Sequence, residues 1–327
     1  MTMQKFFWVI LAFCVLLSFW VGNAEVEYIS GLKNIFNHLA YGEALDSNGI
    51  ILYEIRLPRI LLALLVGASL SGSGAVMQNI FRNPLIDPFL LGVSSGAAFG
   101  CALCIGFLGQ GFLGLFAFVG AVGASFLIVF FASFVRGSQI SLVLIGIIFS
   151  SFLGALSGLV KYFVAPEKAQ AITIWLLGSL SLSTWRDVIL LSVVMVVCFI
   201  PLFLLRFRIN ALALSDLECL SLGINPKALR IVCIVLVSFV CGIAVSVSGT
   251  IGWVGLMVPH FARMLVGANL RLLLPSSMLL GGIILLLMDF LSKNLTSNDL
   301  PVGAVSAIIG APLFLAFLFM ARSRIGG

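Results

Sequence analysis

The sequence predicts an all-α, polytopic membrane protein with about ten transmembrane helices, forming a single transmembrane domain over residues 1–327. Its composition is the first observation: of 327 residues, 61% are hydrophobic and only 9% are charged. Soluble domains carry roughly a quarter charged residues, so a soluble chain this apolar would lack a surface that water can solvate. The second observation is a series of apolar stretches that reach the roughly 20 residues needed to cross a bilayer. The third is an internal repeat.

The apolar stretches define the predicted spans in chain order. The first could instead be a signal peptide, because Lys5 precedes its apolar run and Gly22-Asn23-Ala24 ends in a small residue. The run is as long as a short span, which favours an uncleaved helix. The ten spans are predicted at about residues 6–22, 57–80, 88–107, 112–135, 140–163, 187–206, 228–248, 252–267, 272–294 and 301–320.

Lysine and arginine set the predicted orientation, because the cytoplasmic loops of membrane proteins are enriched in both. With the N-terminus inside, eleven of the 18 basic residues fall on the inner side. Ten spans then place both termini in the cytoplasm. These basic loops explain the net charge of +6, so we expect a lipid membrane and no nucleic acid as partner. On the outer side, residues 23–55 are predicted to form a long polar loop.

The inner segment 207–227 is long enough to form structure of its own. Ser215 is a candidate helix cap with Glu218 three residues later, which is the spacing of a capping box. Gly223 and Pro226 are expected to end the element, with a positive φ at Gly223. We predict one or two short amphipathic helices on the cytoplasmic face, which could also simply rest on lipid headgroups. Their apolar residues include Leu212, Leu214, Leu217, Leu220 and Leu222.

An internal repeat relates the second predicted span to the seventh. Seven identities occur in 26 positions aligned at a constant offset of 175 residues. Because an even-numbered and an odd-numbered span are related, the two copies cross the membrane in opposite directions. Such inverted repeats are typical of alternating-access transporters and argue against a membrane enzyme or a receptor. The identical pairs are Gly67/Gly242, Ser71/Ser246, Ser73/Ser248, Gly74/Gly249, Pro84/Pro259, Leu90/Leu265 and Gly92/Gly267.

Glycine and proline interrupt both copies of the repeat. Gly74 and Gly249 would let neighbouring helices approach closely, and Pro84, Pro88 and Pro259 are not expected to continue a regular helix. Interruptions at matching places in two halves point to a translocation path. The alternative is that these residues serve only to pack helices together.

Few residues are candidates for nucleotide binding, catalysis or metal binding. The chain has no P-loop, so it cannot bind ATP in that way, and it has no catalytic constellation, metal site or cofactor motif. His38 and His260 lie far apart, and His260 is expected at a helix start, bonded to a free backbone group. Cys101 and Cys104 form a CxxC in an apolar helix, where packing is favoured over metal or redox chemistry.

Charged residues are rare in the middle of the predicted spans, and Asp289 is the exception. It could pair with Lys293, one helical turn further on, or belong to a proton relay. The pair is favoured. Without a relay, an ion-coupled secondary carrier loses support, and an external energy source is favoured.

Four segments carry a family resemblance. They are the runs Arg56–Gln78, Arg82–Gly96, Gly249–Arg263 and Leu300–Phe314. Together they resemble the iron–siderophore/haem/cobalamin permease family of ABC importers, from about residue 56 to the C-terminus. The resemblance implies a ten-helix permease subunit of a type II importer in a bacterial inner membrane. It also implies a second permease subunit (a copy or a paralogue), two ATPase subunits and a periplasmic binding protein.

The resemblance also assigns roles to residues. Arg56, Arg59 and Lys293 match basic residues that meet acidic residues of the binding protein, and Lys293 stands where the family often has Arg. The turn from Gly137 to Ser141 resembles the inner gate. The segment Leu212–Ile224 resembles the coupling helices that dock into the ATPase grooves. Its coupling residues are Leu212, Leu214, Ser215, Asp216, Leu217, Glu218, Leu220 and Gly223.

The motifs leave the substrate open. A ferric siderophore is favoured as the commonest substrate of the family, with haem and cobalamin as alternatives, and molybdate-type oxyanions are also known. The sequence therefore predicts a permease for a metal chelate, with no ATPase site of its own. An ion-coupled carrier is a remote alternative, and a membrane-bound enzyme is more remote still.

Overall fold

The computed structural model describes residues 2–21, 26–135, 139–296 and 299–323, and every regular element within them is helical. The helices are α1 (Thr2–Trp20), α2 (Tyr28–Tyr41), α3 (Ser47–Ile50), α4 (Leu57–Ile80), α5 (Val93–Leu103), α6 (Leu113–Phe134), α7 (Gln139–Phe163), α8 (Pro166–Leu176), α9 (Trp185–Leu204), α10 (Arg206–Ala211), α11 (Asp216–Ser221), α12 (Pro226–Ser248), α13 (Val254–Val266), α14 (Leu270–Asn294) and α15 (Val302–Ser323). Short 3₁₀ helices span Pro88–Leu91 and Gln110–Phe112, and π-helical turns span Ile51–Arg56 and Cys104–Leu108.

Each of the ten predicted spans corresponds to a helix of the structure. Six are long and apolar enough to cross a membrane: Ser47–Ile80, Gln110–Phe134, Ser141–Phe163, Trp185–Leu204, Pro226–Ser248 and Leu270–Asn294. Four apolar helices are shorter: Phe7–Trp20, Val93–Leu108, Val254–Val266 and Val302–Ala316. At 1.5 Å per residue, α13 is about 20 Å long, which is less than the roughly 30 Å of a bilayer core.

Within the predicted outer loop 23–55, the described residues 26–55 are largely helical. Asp46 caps α3 by accepting a hydrogen bond from the Gly49 N–H at 2.6 Å. The π-helical turn Ile51–Arg56 then joins α3 to α4 without a break. The expectation of a polar loop was wrong because α2 is amphipathic, and its apolar side chains, such as Ile29 and Phe36, lie exposed on its surface.

Close packing of α4 against α14 forms the centre of the bundle. A Cβ placed on Gly67 would lie 2.2 Å from the Gly281 carbonyl oxygen, and one placed on Gly281 would lie 2.3 Å from the Gly67 oxygen. Ser71 Oγ donates a hydrogen bond to the Ser277 carbonyl at 2.7 Å along the same contact. Small residues therefore allow the two backbones to touch, as is common between transmembrane helices.

The structure agrees with the internal repeat up to the pair Ser73/Ser248 and departs from it beyond that pair. Gly67, Ser71 and Ser73 lie in α4, and their partners at offset 175 lie in α12. Beyond them the copies differ, because α4 continues to Ile80 whereas α12 ends at Ser248. Pro84 lies in a turn, but Pro259 lies inside α13, so the expectation that Pro259 interrupts a helix was wrong.

Candidate translocation and coupling site

A non-helical segment, residues 249–253, separates α12 from α13. Gly249 adopts φ 67° and ψ −165°, a conformation that is essentially restricted to glycine. Trp253, just before α13, also has a positive φ, of 68°. Gly249 and Ile251 are buried and the other residues of the break are half-buried, so this break lies within the protein rather than at its surface. Irregular backbone at that depth is tolerated only where protein or a cavity surrounds it.

Neighbouring segments satisfy the backbone of the break. The Ser179 N–H donates to the Ser248 carbonyl at 2.9 Å, and Thr250 Oγ1 donates to the Leu176 carbonyl. Ser306 Oγ, in α15, donates to the Gly252 carbonyl at 3.3 Å. The ends of α8 and α12 and the first turns of α15 are thereby held in one hydrogen-bonded unit.

Three glycines, Gly178, Gly249 and Gly303, bring these segments into contact, and we call them the glycine junction. A Cβ on Gly249 would lie 2.4 Å from the Trp175 oxygen, and one on Gly303 would lie 2.3 Å from the Leu177 oxygen. Gly178 has φ 70°, and its Cβ would lie 2.5 Å from the Thr250 oxygen. Sequence reasoning singled out only Gly249. For Gly303, the one sequence indication was its place in Leu300–Phe314, a segment that resembles the permease family.

Gly74 packs directly against α13. A Cβ there would lie 1.8 Å from the Gly255 carbonyl oxygen and 2.9 Å from Pro259 Cγ. In a regular helix the Gly255 carbonyl would accept the N–H of residue 259, but proline has no N–H. Pro259 therefore leaves this carbonyl without its helical donor, and the Gly74 backbone packs against it. The structure brings Gly74 and Pro259 together, and their role in lining a path remains a proposal.

Replacing Gly74 by alanine should force α4 and α13 apart. Overpacking of this kind costs about 1–3 kcal/mol, and we expect a lower thermal midpoint in detergent with reduced transport. Gly123→Ala in α6 is the matched control, because nothing lies within 4 Å of a Cβ there. Equal thermal midpoints for the two variants would contradict the close contact.

The segment 207–227 contains two short helices, α10 and α11, as predicted. Ser215 and Glu218 form the predicted capping box: the Glu218 carboxylate accepts from the Ser215 N–H at 2.7 Å, and the Glu218 N–H donates to Ser215 Oγ at 3.3 Å. Gly223 has the predicted positive φ, 73°. Pro226, expected to end this element, is instead the first residue of α12, where its missing N–H costs nothing.

The leucines of this segment divide into two groups. Leu212 is fully buried and anchors the segment to the bundle. Leu217 is 79% exposed. Leu214, Leu220 and Leu222 are exposed with it.

Arg82 links the end of α4 to the segment 212–224, which we call the coupling segment because of the family resemblance noted above. Its Nε donates to the Leu212 carbonyl at 2.5 Å, and its Nη2 donates to the Leu214 carbonyl. Asp216 accepts from Arg82 at 3.5 Å and, in bidentate fashion, from Arg230 at 2.7 and 3.1 Å. The Arg230 hydrogen bond lowers the pKa of Asp216, so this carboxylate stays ionised at neutral pH. Sequence reasoning did not identify the role of Arg82 or Arg230.

Three asparagines extend the connection to α13 and α14. Asn210 of α10 donates to Asn269 Oδ1 at 2.9 Å and accepts from the Leu270 N–H at 3.0 Å. Arg263 of α13 donates to Asn79 Oδ1 of α4 at 3.0 Å. These residues surround a cavity of about 640 Å³ between α4, α10 and α13. A displacement of α10 would therefore act directly on α4 and α14, and on α13 through Asn79.

At the other end of α4, Arg59 forms a buried ion pair with Asp289. Arg59 Nε lies 2.9 and 3.1 Å from the two oxygens of Asp289, whose side chain is fully buried. Arg59 Nη1 also donates to Asp299, which is a third exposed. The expectation that Lys293 is the ion-pair partner of Asp289 was wrong, because Arg59 occupies that position from another helix.

Arg56 and Lys293 bind the end of α1. Arg56 Nη1 donates to the Phe19 carbonyl and to the Tyr28 hydroxyl, both at 2.8 Å. Lys293 Nζ donates to the Ser18 carbonyl at 2.9 Å. Arg56 is only 8% exposed. All three predicted docking cations thus have partners inside the subunit.

The structure also bears on three further expectations, which concern the gate turn, His260 and the CxxC pair. Of the predicted gate turn, Gly137 lies outside the described residues, and Ser141 lies in α7, half-buried. His260 lies inside α13 rather than at a helix start, because α13 already begins at Val254. Cys101 and Cys104 are both buried in the bundle. The described residues contain no group of three His, Cys, Asp or Glu side chains able to hold a metal.

Comparison with known proteins identifies the class of the chain. The family model described as the FecCD transport family matches residues 10–320. The chain belongs to the FecCD transport family. Members of this family are ABC-transporter permeases, non-enzymatic membrane subunits that rely on a separate subunit for ATP hydrolysis. This FecCD protein is therefore a multi-pass membrane permease, which confirms the family resemblance and the all-helical fold.

Individual relatives agree with the family. The FecCD protein is 53% identical, over 314 residues and 96% of each chain, to a probable iron chelatin transport system permease of Helicobacter pylori. It is 42% identical to the molybdate import system permease of Haemophilus influenzae, covering 81% of this chain and 79% of the relative. A solved metal-chelate type ABC transporter in an inward-facing conformation is 34% identical and has a TM-score of 0.86, covering 98% and 99% of the two chains.

Proposed function

We propose that this permease imports a ferric chelate across a bacterial inner membrane, driven by ATP hydrolysis on partner subunits. The observation that carries the substrate class is the 53% identity to an iron chelatin permease over 96% of both chains. The working unit is two permease subunits, either two copies or a pair of paralogues, with two ATPase subunits and a periplasmic binding protein. Both termini lie in the cytoplasm, which puts α10 and α11 on the ATPase side.

The coupling segment is the proposed ATPase-docking surface. The ATPase groove receives the exposed leucines of α11, and Leu212 anchors the segment to the bundle. Arg82 and Asn210 then transmit its movement to α4 and α14 through the hydrogen bonds described above. Rigid attachment at these points supports a coupling role over a helix that merely rests on lipid.

Leu217→Asp should weaken ATPase recruitment by roughly ten-fold, since an exposed apolar anchor is lost while the fold is untouched. Co-purification of the ATPase subunit with the tagged permease measures the effect. Leu182→Asp is the matched control, because Leu182 is 91% exposed but lies between α8 and α9 at the opposite, outer face. Unchanged recruitment by Leu217→Asp would favour the headgroup-resting alternative.

The outer face is the proposed docking site of the binding protein. Arg56, Arg59 and Lys293 lie at this end, but each is engaged inside the subunit. Their role in docking would therefore be to shape a positive potential around the opening, which accelerates association more than it raises affinity. Asp299, a third exposed beside Arg59, would repel an acidic residue of the binding protein and so weakens the positive potential at this point.

The substrate is tested by competition in the reconstituted complex. Uptake of a radiolabelled ferric siderophore into proteoliposomes should require the binding protein and ATP, and an excess of unlabelled ferric siderophore should abolish it. Haem, cobalamin and molybdate should compete weakly. If one of these three is instead transported in preference, the iron assignment is wrong while the permease class stands.

A further inference from the structure

An apolar groove runs along one side of the bundle between α4, α9 and α14. Its volume is about 560 Å³, and nearly all of its lining is apolar. Val196 and Ile200 on α9 are each more than half exposed, so the groove opens outward from the bundle. The other side chains that define it include Leu65, Phe199, Phe203, Leu274, Pro275 and Met278.

Two arginines lie at one end of this groove. The Arg206 guanidinium carbon is 4.3 Å from the centroid of the Phe203 ring, which lines the groove. Arg271 lies three and four residues before Leu274 and Pro275 in α14, so the three side chains share one helix face. The hydrogen bond from Asn210 to Asn269 brings α10 and the start of α14 together, which places both arginines at the same end.

Neither arginine has an acidic partner within 4 Å in the part of the chain that the structure describes. Within the same residues, Arg206 Nε is buried without a hydrogen-bond partner. A buried N–H donor of this kind costs stability unless something accepts its hydrogen bond. An apolar groove ending in two cations therefore fits a ligand with a long apolar chain and an anionic head.

We propose that the groove binds an anionic phospholipid, with an acyl chain against α9 and α14 and the phosphate at Arg206 and Arg271. Basic pockets between transmembrane helices on the cytoplasmic side bind acidic headgroups in this way. A second copy of the chain is a poorer occupant, since it would bring the same cations to the same end. The site lies beside α10, but the proposal does not depend on the ATPase-docking role of that segment.

Native mass spectrometry of the delipidated, full-length protein tests the proposal. Phosphatidylglycerol and phosphatidylcholine with identical chains are added back in equal amounts. The protein should retain phosphatidylglycerol on the order of ten-fold better, since both arginines attract the acidic headgroup. Arg206→Gln with Arg271→Gln should remove that preference. Arg186→Gln, at the other end of α9, is the matched control and should keep it.

Filling the groove gives an independent measurement. Val196→Trp leaves both arginines in place and should lower the retention of both lipids, because the acyl chain loses its space. Equal retention of the two lipids by the unaltered protein, or a preference that survives the double arginine variant, would overturn the proposal. Efficient cross-linking of two chains through Ile200→Cys in membranes would also overturn it, since a second copy would then occupy the groove.

Discussion

Gly249→Ala is expected to destabilise the protein more than any other single methyl addition in the break between α12 and α13. Alanine is strained at φ 67° and ψ −165°, a conformation that costs about 1–3 kcal/mol in a residue with a Cβ. The added carbon would also lie 2.4 Å from the Trp175 oxygen and 3.0 Å from Gly178 Cα, and overpacking costs about 1–3 kcal/mol more. We expect little folded protein in detergent and no measurable transport.

Gly252→Ala is the control for that experiment. Gly252 lies three residues away in the same break, has no positive φ, and has nothing within 4 Å of a Cβ. Its yield, thermal midpoint and transport should stay close to those of the unaltered protein. Similar losses in both variants would mean that the whole segment is intolerant of change, and the glycine junction would lose its special role.

Arg59→Ala is the second change with a large expected effect. It leaves the fully buried Asp289 carboxylate without its ion-pair partner, and breaking a buried pair in this way costs about 3–5 kcal/mol. Thermal unfolding in detergent should report a strongly lowered midpoint. Asp299→Asn is the control, because Asp299 is a third exposed and a pair of that kind contributes about 0.2–1 kcal/mol.

Combining Arg59→Leu with Asp289→Leu separates stability from docking. Replacing both partners of a buried pair by apolar residues of suitable size is often neutral or stabilising, so the double variant should fold. If its association with the binding protein is slower at low salt, Arg59 contributes to docking through its charge. A double variant as unstable as Arg59→Ala would contradict the buried-pair account.

Features that depend on nearby residues could be predicted from the sequence. The capping box of Ser215 and Glu218 is local, because the two residues are three apart and their chemistry is sufficient to form it. The positive φ of Gly223 follows similarly from its place after a helix. The apolar spans were predictable because lipid selects for length and composition.

Features that depend on distant residues could not be predicted. Asp289 was assigned to Lys293, its neighbour in sequence, whereas Arg59 lies 230 residues away. Gly178 contacts Thr250 and Gly303 contacts Leu177, and neither contact has a local sequence signal. The repeat at a constant offset was misleading beyond Gly249, because the conformation of that residue ends α12 early.

ATP-dependent uptake by the reconstituted complex tests the central claim most directly. Proteoliposomes containing the permease and its ATPase subunits, with the binding protein and a labelled ferric chelate outside, should accumulate label only when the ATPase subunits are supplied with ATP. Ionophores that collapse ion gradients should leave the uptake unchanged. Uptake that continues without ATP and is abolished by the ionophores would contradict the account, because the chain would then be an ion-coupled carrier.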